Sequence, residues 1–171
     1  MEEGRDFESA LEFLKGARPE WTRRMGLFGL SMGAAMAVRG MAEHPEFRCA
    51  VFEAPFVSFS RVVAQFTRNN FRLPFFPFAY FTINVIGWRV GADPDASSPI
   101  LCAPRLPSKP TLFIAGELDR LMPPSEVRFL FDAAAGPKEY WLVPKAEHGK
   151  CWEAGGETYQ RRLKEFFDKN I

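Results

Sequence analysis

The sequence predicts an α/β fold, in which a mostly parallel sheet of about four strands is flanked by helices. Short apolar runs, of the length expected for buried strands, alternate along the chain with longer segments whose apolar residues recur at helical spacing. This alternation is typical of β-α-β units, which place successive strands side by side and parallel. The predicted strands comprise residues 25–28, 49–52, 111–115 and 140–143.

Helices are predicted before, between and after these strands. Residues 32–43 follow the first strand and are rich in glycine and alanine, small residues that allow a helix to lie close to a sheet. Pro123 and Pro124 introduce a later helix, and Gly136 ends it. Apolar residues at helical spacing mark the first helix, this later helix and the last one: Phe7, Ala10, Leu11 and Leu14; Val127, Leu130, Phe131 and Ala134; and Tyr159, Leu163, Phe166 and Phe167.

Length and composition predict one domain over residues 1–171. A chain of 171 residues, 47% of them hydrophobic, is long enough to bury one core. The 22 basic and 21 acidic residues are scattered without a basic run, which argues against nucleic acid as a partner. Cys49, Cys102 and Cys151 are odd in number and far apart, which argues against a disulfide framework or a zinc site. Because the polar, acidic N-terminus is unlike a signal peptide, we expect a cytoplasmic location.

Residues 55–99 form an aromatic insertion between the second and third predicted strands. Many of the 18 phenylalanines lie here, and the longest uncharged stretch, residues 73–88, has 16 residues. A membrane-spanning helix needs roughly 20 apolar residues. Because Pro74 and Pro77 also interrupt this stretch, no transmembrane span is predicted.

Ser31 is the candidate nucleophile. The segment Gly29-Leu30-Ser31-Met32-Gly33 matches the G-x-S-x-G pattern of a nucleophile elbow, a strained strand-to-helix turn that exposes the serine hydroxyl. We expect glycines on both sides because the turn leaves no room for side chains. The alternative is a glycine-rich turn with a helix-capping serine. The position of the motif between a predicted strand and a predicted helix favours the nucleophile.

A serine hydroxyl needs a base to take its proton, and the chain contains two histidines. His148 follows the last predicted strand, so it should lie with Ser31 at the carboxyl edge of the sheet. His44 ends the helix that leads away from Ser31, and we expect it at the surface there. His148 is therefore the predicted base, and the alternative is an ordinary loop histidine.

The base in turn needs a carboxylate that accepts its second N–H and stabilises the imidazolium ion. Asp119 follows the third predicted strand, at the same edge of the sheet. Glu117, two residues earlier, and Glu53, which ends the second strand, are alternatives that we expect to be rim or structural charges.

The order Ser, Asp, His along the chain is that of α/β-hydrolases. From residue 7 onward the chain resembles the serine hydrolases of this superfamily that are related to the prolyl oligopeptidase catalytic domain, to serine aminopeptidases and to monoacylglycerol lipases. The similar segments are residues 29–34, 53–56, 112–119 with Pro123 and Pro124, and 143–149.

The resemblance implies several strands before the elbow and a loop that supplies the second N–H of the oxyanion hole. Because only 30 residues precede Ser31, we expect a partial α/β-hydrolase fold, the C-terminal half. The N–H of Met32, at a helix N-terminus, is the predicted first donor, and no residue is assigned as the second. The free edge of residues 25–28 should bind a preceding segment or a second copy.

These residues predict a serine hydrolase that cleaves an ester, thioester or amide bond through an acyl-enzyme, without a metal or cofactor. The resemblance implies that residues 55–99 are a lid, and its aromatic residues favour a lipophilic acyl substrate unless they serve only to pack the lid onto the sheet. Asn84 and Arg89 are candidates to hold polar substrate groups, which the sequence does not decide. The alternative function is a non-catalytic hydrolase-like fragment or binding subunit that lacks the oxyanion loop.

Overall fold

The strands form one sheet, and helices cover both of its faces. The computed structural model describes residues 2–171. The strands in this range are β1 (Met25–Leu30), β2 (Phe47–Glu53), β3 (Thr111–Gly116) and β4 (Lys138–Val143). The α-helices are α1 (Glu2–Ala17), α2 (Met32–Glu43), α3 (Phe59–Phe71), α4 (Tyr80–Val90), α5 (Pro99–Cys102), α6 (Pro124–Ala133) and α7 (Cys151–Asn170).

All strand pairs are parallel, and the strands lie in chain order, β1-β2-β3-β4. This confirms the predicted fold class and the position of each predicted strand. β1 is longer than predicted because Gly29 and Leu30 continue to pair with Phe52 and Glu53 of β2. As a result, the strand leads directly into Ser31.

Buried apolar side chains cover both faces of the sheet. One cluster joins the sheet to α2 and α6 and includes Phe52 and Leu130. The other joins the sheet to α7 and includes Val51 and Tyr159. Because successive strand residues point to opposite faces, the neighbours Val51 and Phe52 belong to different clusters. This double coverage explains why the strands appear in the sequence as continuous apolar runs.

The insertion between β2 and β3 stands apart from this core. It contains α3, a π-helical turn at Phe75–Ala79 and α4. No residue of α3 or α4 is buried, and the two helices contact mainly each other and the turn. Packing against the sheet therefore does not account for the aromatic residues of the insertion. Across residues 2–171, the structure contains no helix with the length and apolar character needed to cross a membrane.

β1 forms one edge of the sheet. Within the described part of the chain it pairs with β2 alone, and the side chains of Phe28 and Leu30 are 50% and 40% exposed. An open groove of about 380 Å³ runs between this strand and α7, lined mainly by Phe28, Leu30, Trp152, Leu163 and Phe167. The first strand thus exposes both an unpaired backbone edge and apolar side chains.

Candidate active site

Ser31 lies in the sharp turn between β1 and α2. Its φ of 55° and ψ of −115° are unusual for a residue other than glycine, and such strain costs on the order of 1–3 kcal/mol. The N–H of Ser31 donates to the carbonyl of Glu53 in β2 at 2.8 Å, and the N–H of Ala34 donates to the carbonyl of Ser31 at 3.0 Å. The strained turn is therefore held to the sheet on one side and to the helix on the other.

The two glycines of the motif are not equivalent. A Cβ atom at Gly29 would lie 2.3 Å from the carbonyl oxygen of Gly33 and 2.6 Å from Cα of Ala34, so only glycine permits this approach. A Cβ atom at Gly33 would meet no heavy atom of the described residues within 4 Å. The expectation that the turn leaves no room for a side chain is right at Gly29 and wrong at Gly33.

The fold brings His148 and Asp119 to Ser31. Nε2 of His148 lies 3.1 Å from Oγ of Ser31, and Nδ1 of His148 lies 2.8 Å from Oδ2 of Asp119. Ser31 follows β1, Asp119 follows β3 and His148 follows β4. Because the carboxyl ends of parallel strands share one edge of the sheet, residues far apart in sequence form one hydrogen-bonded chain.

Asp119 is buried and fixed in orientation. Its Oδ1 accepts hydrogen bonds from the backbone N–H groups of Leu121 at 2.9 Å and Met122 at 2.8 Å, which leaves Oδ2 for His148. The hydrogen bond that His148 donates to Asp119 raises the pKa of His148 and outweighs burial, which lowers it. The negative charges of Asp119 and Glu53 also raise this pKa. The site therefore stabilises a protonated imidazole.

Neither alternative acid contacts the imidazole. Glu117 instead accepts the N–H of Lys145 through Oε2 at 2.8 Å, and Lys145 has a φ of 59° in the loop before His148. Glu53 is buried and accepts a hydrogen bond from the hydroxyl group of Tyr159. Both carboxylates thus have contacts of the structural kind that we expected of them.

His44 lies at the opposite end of the sheet. Its ring packs against Phe7 and against Phe47, the first residue of β2. Ser31, in contrast, is hydrogen-bonded to Glu53, the last residue of that strand. Nε2 of His44 lies 2.9 Å from Oε1 of Glu8. Together with Glu43, these two residues form the one group of possible metal ligands found within the described chain, and it is remote from Ser31.

A buried polar pair, which the sequence does not predict, lies beside the site. Glu53 binds Tyr159 of α7, and burial, followed by the interaction with Glu53, raises the pKa of Tyr159. Burial also raises the pKa of the Cys151 thiol nearby, and raises that of Cys49 to about 11. These thiols therefore stay protonated and are poor nucleophiles. Tyr159 occupies a position of the apolar stripe of α7, so no sequence signal separates it from an ordinary core residue.

Met32 is the first residue of α2, immediately after Ser31. The first N–H groups of a helix have no intrahelical acceptor, and the helix dipole gives them a partial positive charge. The N–H of Met32 is thus free to donate a hydrogen bond to a negatively charged oxygen beside Ser31. Asn84, one of the candidates for substrate contacts, instead donates to the carbonyl of Tyr80 at 2.7 Å, and Arg89 is exposed.

The parallel sheet, the flanking helices and the strained serine between β1 and α2 define the chain as an α/β-hydrolase fold. Residues 2–171 match the prolyl oligopeptidase family, and the chain belongs to that family.

Solved structures share this fold. One is the esterase Pf2001 of Pyrococcus furiosus, which is 25% identical with a TM-score of 0.76, and the match covers 97% of this chain and 61% of that chain. Another is an acylaminoacyl peptidase of Pyrococcus horikoshii, which is 18% identical with a TM-score of 0.72. That match covers 100% of this chain and 28% of that chain.

Two curated proteins are also similar in sequence. The uncharacterized protein YqkD of Bacillus subtilis (strain 168) is 28% identical over 148 residues, which are 84% of this chain and 48% of YqkD. The alpha/beta hydrolase domain-containing protein WAV2 of Arabidopsis thaliana is 25% identical over 179 residues, or 96% of this chain and 53% of WAV2. The chain thus spans about half the length of these relatives. The comparisons place it in a family of serine hydrolases.

Proposed function

We propose that this chain contains the catalytic residues of a serine hydrolase that cleaves an ester, thioester or amide bond through an acyl-enzyme. Oγ of Ser31 attacks the carbonyl carbon while Nε2 of His148 takes the hydroxyl proton and passes it to the leaving group. Water then gives a proton to the same nitrogen and attacks the acyl-enzyme. The bond between the acyl carbon and Oγ breaks, the acid leaves, and Nε2 returns the proton to Oγ of Ser31. The observation that supports this mechanism is the chain of hydrogen bonds from Asp119 through His148 to Ser31, 2.8 and 3.1 Å long.

Asp119 has two tasks in this mechanism. It accepts a hydrogen bond from the Nδ1–H of His148, so Nε2 is free to take the proton of Ser31. When His148 becomes positively charged, the buried carboxylate stabilises it. The raised pKa of His148 reflects the same stabilisation of its protonated form by Asp119.

We propose the N–H of Met32 as one donor of the oxyanion hole. Loss of one such donor typically costs about 10²- to 10³-fold in rate, so a second donor matters greatly. We propose that the second donor comes from a segment that covers the exposed edge of β1. Ser31 directly follows β1, so a segment paired with that edge would end close to Ser31. Exposed Phe28 and Leu30 and the open space at Gly33 support this placement.

A test of this proposal compares the 171-residue chain with a version extended at its N-terminus. The isolated chain should self-associate or aggregate through β1 and hydrolyse p-nitrophenyl acetate slowly, and the extended protein should be more soluble and faster. Sedimentation and an esterase assay measure both effects. A monomeric 171-residue chain with ordinary esterase turnover would show that the chain completes its own oxyanion hole.

We propose a small-molecule substrate with a lipophilic acyl group. An open groove of about 570 Å³ lies beside the loop that contains Asp119. Its lining is mostly apolar and includes Val62, Phe66, Phe78 and Leu121. Leu121 follows Asp119 by two residues, which places the groove near the proposed catalytic residues. If an acyl chain occupies the groove, each buried methylene should raise kcat/KM about threefold to fourfold. A series of p-nitrophenyl esters of increasing acyl length measures this, and a flat series would exclude the groove as the acyl site.

We also propose that the protein acts in the cytoplasm. The three cysteines are free and buried, as is usual in a reducing compartment. Fractionation of cells with an antibody against the chain would locate it.

Labelling with a fluorophosphonate probe separates the catalytic proposal from the non-catalytic alternative. An activated serine reacts with such probes far faster than an ordinary hydroxyl. We expect labelling of the wild-type chain and none of Ser31→Ala. A wild-type chain that is folded but unlabelled, or equal labelling of Ser31→Ala, would favour the binding subunit.

A further inference from the structure

The insertion exposes an unusual amount of apolar surface. Of the twenty large apolar side chains that are exposed among the residues with described burial, ten lie between Phe66 and Val90. We refer to these ten as the insertion surface; Trp88, at 84% exposure, and Phe76, at 67%, are its most exposed members. Soluble proteins seldom expose contiguous apolar patches of this kind unless the patch binds something.

The charged residues of the insertion from α3 to α4 all have the same sign. From Glu53 to Asp93 the sequence contains four arginines and no acidic residue between those two ends. Arg61 is paired with Glu126 of α6 through two hydrogen bonds of 2.7 and 2.6 Å. Arg68, Arg72 and Arg89 are exposed, and none of them has an ion-pair partner among residues 2–171.

Several polar side chains of the insertion donate to backbone carbonyl groups one turn earlier in the chain, while Gln65 and Asn69 donate to the carbonyl of Arg120. Thr82 donates to the carbonyl of Phe78 at 2.9 Å, and Asn84 donates to that of Tyr80 at 2.7 Å. In α3, Asn70 donates in the same way to Phe66 at 3.0 Å. Because these groups already have partners, moving them out of water costs less than it would for unpaired groups.

We propose that the insertion surface binds peripherally to a lipid membrane with anionic headgroups. Aromatic side chains flanked by arginines are typical of segments that lie in the membrane interface, where the rings enter the acyl boundary and the cations meet lipid headgroups. At eleven residues, α4 is about half as long as a helix that crosses a bilayer, so it would lie along the interface.

The uniform charge argues against a second copy as the occupant. A two-fold dimer would bring each insertion surface against the same surface of its partner. Arg68, Arg72 and Arg89 would then approach other arginines, with no carboxylate of the insertion surface to balance them. Like charges placed together disfavour association, whereas anionic lipids neutralise all three.

Flotation of vesicles in a density gradient tests the proposal, because chains that only aggregate through β1 do not float. The experiment uses the 171-residue chain with Ser31→Ala, so that hydrolysis cannot alter the lipids and the result does not depend on the proposed catalysis. The chain should float with vesicles of equal parts phosphatidylglycerol and phosphatidylcholine, and much less with phosphatidylcholine alone. High salt should weaken binding to the anionic vesicles because it screens the arginines.

Substitutions separate the contribution of the arginine charges from that of apolar contact. Each of Arg68→Gln, Arg72→Gln and Arg89→Gln should weaken binding to anionic vesicles about fivefold. Trp88→Ser should weaken binding to these vesicles at any salt concentration because it removes apolar contact. Trp21→Ser and Arg161→Gln are matched controls, since both residues are exposed but lie outside the insertion, and they should bind as the parent does. Circular dichroism verifies that each variant is folded.

Quenching by brominated lipids gives a second measurement. The emission of Trp88 should be quenched on binding, and Trp88→Phe, which keeps an aromatic ring, should bind while losing most of that quenching. The proposal is overturned if the folded chain does not bind anionic vesicles, or if the controls weaken binding as much as the insertion variants. It is also overturned if equilibrium sedimentation without lipid shows a dimer that Trp88→Ser dissociates, because the surface would then belong to a second copy.

Discussion

The substitution Asp119→Asn tests how the acid orients the proposed base. In the wild-type structure, Oδ1 of Asp119 accepts the N–H groups of Leu121 and Met122, and Oδ2 faces Nδ1 of His148. Asparagine has one carbonyl oxygen and one NH2 group, so it cannot accept at both positions. If the NH2 group faced the two N–H groups, two buried donors would lose their acceptor, at a cost of about 1–3 kcal/mol each.

We therefore expect the asparagine oxygen to keep the two backbone bonds and the NH2 group to face His148. Nδ1 must then accept a hydrogen bond rather than donate one, so the imidazole proton moves to Nε2. In that tautomer Nε2 cannot take the proton of Ser31, and the negative charge that would stabilise the imidazolium ion is also lost. The corresponding change in a serine protease triad lowers kcat by about 10⁴, or about 5.5 kcal/mol in activation free energy.

The rate of fluorophosphonate labelling measures this effect without requiring full turnover. Asp119→Asn should label about 10⁴-fold more slowly than wild type while its free energy of unfolding changes little. Glu117→Gln is the matched control, since Glu117 contacts Lys145 and not His148, and it should label at the wild-type rate. Labelling of Asp119→Asn within tenfold of wild type would refute the argument about the tautomer.

Three further predictions follow from the same geometry. His148→Ala should abolish labelling, whereas His44→Ala should leave it unchanged because His44 lies at the other end of the sheet; the reverse result would overturn the topology. Because the pKa of His148 is raised and its neutral form is the base, kcat/KM for p-nitrophenyl acetate should rise with pH through an apparent pKa above 6.5, and an inflection below that value would contradict the raised pKa. Gly29→Ala should destabilise the fold by roughly 1–3 kcal/mol in urea denaturation, because its Cβ would overlap Gly33, and Gly33→Ala should not; equal losses would show that the two glycines are equivalent.

The sheet and the edge on which the site lies follow from the sequence because both depend on simple periodic features. The parallel strands are covered on both faces, so residues 49–52 and 111–115 form continuous apolar runs that are visible in the sequence. The shared edge of the strand ends then brings Ser31 and His148 together whatever the details of the loops. The predicted extent of the helix after Ser31, residues 32–43, agrees with α2.

The choice between carboxylates depends on loop geometry that the sequence does not determine. Glu117 and Asp119 are two residues apart, and both lie beyond β3. Asp119 faces His148 because its other oxygen binds two N–H groups of the loop that follows, whereas Glu117 turns to Lys145. Those contacts form only when the loops after β3 and β4 are both in place.

Burial of aromatic residues is likewise a property of the tertiary structure. Tyr159 and Trp88 are both aromatic residues within helices, yet Tyr159 is buried against Glu53 and Trp88 is the most exposed large apolar residue among those described. The sequence shows that the insertion is aromatic, but the side that its residues face depends on how α3 and α4 meet the rest of the fold.

Trapping of the acyl-enzyme tests most directly whether Ser31 is the nucleophile. The chain is mixed with p-nitrophenyl acetate, quenched in acid at early times and digested for peptide mass mapping. We expect an acetyl group on the peptide that contains Ser31, formed together with a burst of p-nitrophenol, and neither in Ser31→Ala. Release of p-nitrophenol with Ser31 unmodified at every quench time, or an equal burst from Ser31→Ala, would contradict the mechanism.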